Sequence, residues 1–178
     1  MPVQIGAKTH SFAEPTGLLS DCHRRIEMFL GSLRQVAALL DRPLGPEARG
    51  ALEAALRYFR EAAPKHTADE EESLFPRLRR VNHPEVEAAI RTLDPLEQEH
   101  QRADALHREA DRLGKTCLGG AILSSQDVQR FRYAVAELAN IYKEHIRIED
   151  ELVFPVASKL LAARDKIAIA EEMAQRRK

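Results

Sequence analysis

One stretch of this chain occurs twice, and it constrains everything around it. His66, Glu70, Glu71, Glu72, Leu74, Phe75 and Pro76 fall at the same offsets as His145, Glu149, Asp150, Glu151, Val153, Phe154 and Pro155. The two copies start 79 residues apart, at 66 and 145. A second pair nearly keeps the period: His23 and His100 lie 77 residues apart, each with an arginine two positions on, Arg25 and Arg102. The chain therefore reads as two copies of one unit. Each unit supplies a lone histidine and then a His-x3-Glu.

Residues four apart on an α-helix are stacked neighbours, about 5–6 Å between Cβ atoms. A His and a Glu so placed can reach one metal ion. Imidazole with carboxylate suits iron, zinc or manganese better than calcium or magnesium.

The surrounding sequence is helical in period. Leu19, Cys22, Ile26, Phe29, Leu33, Val36 and Leu40 alternate spacings of three and four from a start near Pro15, the pattern of an apolar helix seam. A second helix starts at Pro46, carries Leu52, Leu56, Phe59, Ala63, His66 and Glu70 on one face, and is expected to break or restart at Pro64 and again at Pro76. Asn82-His83-Pro84 interrupts the chain, with a short helix over 85–92. Asp94, Pro95 and Glu97 read as the start of a third long helix, with Leu96, His100, Ala103, His107, Ala110 and Leu113 on one face. A loop is expected over 114–125. The fourth helix is the most regular: Val128, Phe131, Val135, Leu138, Tyr142, His145, Glu149, Leu152 and Val156 share one stripe.

Four long amphipathic helices make the expected fold an all-α, up-down-up-down antiparallel four-helix bundle over 15–163. A short N-terminal arm (1–14) precedes it, and a charged C-terminal helical tail (164–178), expected to fray, follows. Folding each half at its loop brings its two histidines to the same height in the core. Glu70 and Glu149 then lie on core seams, where a carboxylate is costly unless paired or bound to metal. Four histidines and two glutamates suit two ions, about 3.5–4 Å apart in typical two-metal sites.

Net charge and cysteine content exclude other classes. With 27 basic and 28 acidic residues the formal charge is −1, which offers nucleic acid or an anionic membrane no electrostatic footprint. No secretory signal or membrane span is apparent, and Cys22 and Cys117 fit no disulfide framework. A cytoplasmic setting is the expectation.

His23 … His66-x3-Glu70 … His100 … His145-x3-Glu149, with Phe-Pro after both pairs, resembles the haemerythrin-like (HHE cation-binding) proteins over about residues 12–162. The resemblance implies a bundle around two iron ions in an oxo-bridged di-iron centre, with zinc or manganese as substitutes. It also implies that His23 and His66 hold one iron, that His100 and His145 hold the other, and that Glu70 and Glu149 bridge both. The oxygen-carrying members have a further histidine four residues along helix 3, where this chain has Asp104. The pattern is nearer to iron–sulfur repair proteins and to iron- or oxygen-sensing HHE domains. Expected partners are a small diatomic ligand (dioxygen or nitric oxide) or iron itself.

Three residues are secondary candidates. Glu27 stacks over His23 and is placed to orient it, Tyr142 lies one turn before His145, and His107 lies two turns from His100. Glu71, Glu72, Asp150 and Glu151 are expected at the surface. No separate acid–base pair is legible, so the reading favours a metal-binding or sensing protein. Its alternatives are a di-iron enzyme acting on peroxide, or a metal-free bundle in which the His–Glu pairs are structural.

Overall fold

The computed structural model describes residues 10–178. All regular structure among them is helical. Helix α1 spans Pro15–Ala37 and α2 spans Pro46–Glu61. The chain restarts as α3 (Ala63–Ala68) and opens into a π-turn (Asp69–Leu74), before α4 (Phe75–Leu78) closes the second segment. A 3₁₀ turn (Pro84–Val86) leads into α5 (Glu87–Leu118). Helix α6 (Ser125–Ile148) passes through a second π-turn (Glu149–Val153) into α7 (Phe154–Leu160), and α8 (Ala163–Gln175) ends the chain. The all-α expectation is met, and so are the helix starts at Pro15 and Pro46 and the restart around Pro64.

Both π-turns have the same cause. Pro76 and Pro155 each stand ten residues after a motif histidine. Proline has no N–H to donate, and its ring clashes with the carbonyl four residues back. Widening the preceding turn relieves this. The N–H of Phe75 then reaches the carbonyl of Glu70, and that of Phe154 the carbonyl of Glu149, each five residues back. Single π-turns inside α-helices occur often at functional sites.

The helix start expected at Asp94-Pro95 does not exist; α5 begins at Glu87 and runs straight through Pro95. Proline in a helix interior costs about 3 kcal/mol. Here Val86, Ala89, Leu93 and Leu96 are all buried on the two sides of it, and burial of each large side chain returns roughly 1.5–3 kcal/mol. Asp94 and Glu97, read as capping residues, instead accept hydrogen bonds from Arg79 at 2.7 and 2.9 Å. The loop expected from Gly114 is also shorter, because α5 continues to Leu118. Gly114 lies inside the helix, where a Cβ would come within 2.5 Å of Leu56 Cδ1 and only glycine fits without a shift. The turn itself falls at Gly120, whose φ of +89° is in the left-handed region that glycine adopts freely.

The chain forms two compact units. The first comprises the chain up to Arg25 with Pro64–Gln98 and His145–Lys178. Its core gathers Leu19, Phe75, Leu93, Phe154, Ile169 and Met173, among others. The second comprises Ile26–Ala63 and Glu99–Glu144, with Leu33, Leu52, Leu113, Phe131 and Leu138 fully buried.

Two corrections concern the ends. Most of the expected 1–14 arm lies outside the described residues. The part described is tied to the first unit: His10 donates its backbone N–H to Asp21 Oδ2 at 2.9 Å, and Phe12 packs on that unit's core. The tail does not fray. Ile169 and Met173 on α8 have no exposed surface, and Arg77 grips Glu172 through two hydrogen bonds of 2.6 and 3.0 Å. The charges along 164–178 hide this narrow apolar stripe.

Candidate metal centre

The six expected ligands are distributed over six segments. Helix α1 carries His23, α3 carries His66, α5 carries His100 and α6 carries His145, while each π-turn carries one glutamate, Glu70 or Glu149. All six are buried, and His23, Glu70 and Glu149 have no exposed surface.

Their donor atoms converge in two clusters. His23, His66, Glu70 and Glu149 form one, and Glu70, His100, His145 and Glu149 the other; in each, one ligand atom per residue lies within 4.8 Å of every other. Nε2 of His66 is 3.1 Å from Glu70 Oε1, and Nε2 of His145 is 3.1 Å from Glu149 Oε2. Nε2 of His23 lies 3.1 Å from the same Glu149 oxygen and 3.9 Å from Glu70 Oε1. Two ligands at right angles, each about 2.1 Å from a shared ion, are about 3 Å apart.

The close approach of His23 to Glu149 lacks hydrogen-bonding geometry. Nε2 of His23 and both carboxylate oxygens of Glu149 are buried and make no hydrogen bond. Buried donor atoms that lie close together without hydrogen bonds between them are what a metal ion would satisfy. The donor set therefore fits one.

Electrostatics sharpen the point. Burial, then the charge of Glu149 nearby, pushes the Glu70 carboxyl well above the usual range. Burial also opposes ionisation of Glu149, but His145 and His23 outweigh it and hold that carboxyl well below the usual range. Without a cation, the centre accommodates only one of its two carboxylate charges.

His23 is oriented from its far side. Its Nδ1 lies 2.9 Å from Asp150 Oδ1. Asp150 also accepts from Ser20 Oγ at 2.8 Å and from Arg24 at 2.6 Å. Burial raises the Asp150 carboxyl, but His23, Ser20 and Arg24 more than compensate and hold it ionised. A carboxylate only accepts, so the Asp150 contact places a proton on Nδ1 and leaves Nε2 as the nitrogen that faces the centre. The opposite face of the ring stacks on Phe154, at 5.2 Å between centroids and 18° between planes.

Asp150 thus takes the role expected of Glu27, which is exposed. It is not the surface acid the helical period implies, because the π-turn shifts the register after Glu149. Asp69 is a second residue that periodicity missed: it is wholly buried and paired with Arg176 and Arg177, directly after α8. Its one sequence signal is that the second copy has an aliphatic residue, Ile148, at the same place.

Tyr142 and His107 form a pair of their own, with Tyr142 Oη 3.0 Å from His107 Nε2. His107 also stacks on Phe59, at 4.3 Å between centroids. Burial lowers its pKa to about 4, so it is neutral at pH 7. It is a hydrogen-bonded packing residue, and neither it nor Tyr142 belongs to a ligand cluster.

Comparison with known proteins agrees with this centre. Residues 14–157 match the family model of the hemerythrin HHE cation binding domain. The match covers most of the chain, and the chain belongs to that family. It is also 28% identical over 165 residues to an uncharacterized protein of Haemophilus influenzae, covering 92% of this chain and 90% of that one. No helix among the described residues is long and apolar enough to cross a membrane.

Proposed function

We propose that the protein holds two iron ions in its His/Glu centre and uses them to sense or handle dioxygen, nitric oxide or iron. His23 and His66 would serve one ion, His100 and His145 the other, and Glu70 and Glu149 both. The observation that carries this is the meeting of six buried donors, with Nε2 of His23 and both oxygens of Glu149 in no hydrogen bond. Membership of a cation-binding family supports it. Two glutamates shared between two clusters are what a carboxylate-bridged pair requires. When bound, the iron pair would supply open positions for a small diatomic ligand.

The chain's own residues prepare that site. Asp150 fixes the tautomer of His23. The two π-turns aim Glu70 and Glu149 inward. Phe154 closes the face of His23 and keeps water from it. Asp104, one turn after His100, is exposed and paired with Arg108, so it leaves helix α5 with one ligand rather than two. Fewer protein ligands leave more room for an exogenous one, which favours sensing or handling over a closed structural site.

The test is anaerobic ferrous loading followed by air or by nitric oxide. Wild-type protein should develop a new near-ultraviolet and visible absorption with each. His66→Ala and His145→Ala should each abolish it. Retention of the full absorption in both variants would contradict the ligand set.

A further inference from the structure

Asp69 is as deeply buried as any ligand, yet it belongs to neither cluster. It directly precedes Glu70 and opens the first π-turn. Arg176 Nη1 donates to its Oδ1 at 3.0 Å, and Arg177 Nη2 to its Oδ2 at 2.5 Å. Arg176 also donates to Ser73 Oγ at 2.9 Å and to Glu72 Oε2 at 3.0 Å. The end of α8 therefore grips the π-turn at positions 69, 72 and 73, on both sides of Glu70. Both guanidiniums are largely sheltered, with 20% and 23% side-chain exposure.

We propose that Arg176 and Arg177 are positioning residues for Glu70, and that the grip of α8 on the π-turn sets how firmly the centre retains metal. This rests on the metal-binding reading above. A π-turn is a rare conformation inside a helix and depends on its surroundings to persist. Glu70 sits in the middle of one, with its carboxylate in both clusters. A hydrogen-bonded shell around a ligand commonly changes metal affinity 10–100-fold. The second copy has no such grip at the matching position, where Ile148 stands. That copy is braced instead through Asp150 and the α1 residues Ser20 and Arg24. The two halves of the repeat are therefore held by different means, and only the first depends on α8.

The experiment is extraction of ferrous iron from the loaded full chain by a chelator, anaerobically and well below each variant's unfolding temperature. The double variant R176Q/R177Q should lose iron about tenfold faster than wild type or more. Because it leaves Asp69 buried without its two arginines, the triple variant D69I/R176Q/R177Q is run beside it. That variant copies the residue of the second repeat, leaves no orphan charge, and should lose iron equally fast. Met173→Ala, which loosens α8 but keeps both arginines, should stay within about twofold of wild type. Amide exchange at residues 70–75 should quicken in the arginine variants alone. Wild-type extraction rates in the double and triple variants would overturn the proposal and leave α8 as packing. Wild-type protein that takes up no iron at all would instead overturn the metal reading, and this inference with it.

Discussion

Glu70→Leu is expected to stabilise the metal-free protein while destroying its response to metal. Glu70 has no exposed surface, and burial holds its carboxyl well above the usual range. Burying a polar group in an apolar site costs about 1–3 kcal/mol in protein mutational data, and an apolar side chain of similar size removes that cost. In a chain of this length each kcal/mol moves Tm by about 2–4 °C. The apo variant should therefore melt several degrees above apo wild type. Metal should raise the Tm of wild type and leave the variant unchanged, since binding to the native state alone is what adds stability. Calorimetry with and without ferrous iron reads both signs. A lowered apo Tm would mean that Glu70 is a structural partner of His66, as in the metal-free alternative.

Phe154→Ala is expected to cost about 3–5 kcal/mol, the usual range for removing a buried phenylalanine. Phe154 is 3% exposed and belongs to the core of the first unit with Phe75, Leu93 and Met173. The loss should exceed that of an ordinary core position in its consequences, because the ring also stacks on His23. With that support gone, His23 keeps its Asp150 contact but loses the stacked ring beside it. Urea unfolding should show a midpoint shift of that size with an unchanged slope. A cost below about 1 kcal/mol would contradict the packing described.

The six clustered residues were legible because their chemistry and their helical spacing coincide. A histidine and a glutamate four apart inside an apolar stripe are conspicuous, and the stripe through Tyr142, His145 and Glu149 has no other use for a carboxylate. The repeat then located the second set. Local signals failed where tertiary packing overrode them. Asp94, Pro95 and Glu97 have the chemistry of a helix start, but buried neighbours on both sides and the Arg79 pairs carry α5 through them. The prolines after each motif announced a disturbance, and the structure resolves it as a π-turn rather than a kink.

Residues that support the site were harder to read. Asp150 looked like a surface acid because a straight helix turns it outward, and the π-turn turns it back toward His23. Asp69 is recognisable only through arginines more than 100 residues away in sequence. The short apolar stripe of α8, Ile169 and Met173, is diluted by the charges around it. The clustered histidines and glutamates are written in local spacing, whereas the groups that orient them come from distant parts of the chain.

The most direct test of the centre is metal content per chain, by mass spectrometry on protein loaded anaerobically with ferrous iron and freed of excess. The account predicts about two irons per chain. It also predicts their loss on acidification, since histidine ligands must be neutral to bind. A chain that retains no iron would contradict it, and the buried His–Glu pairs would then be part of the packing alone.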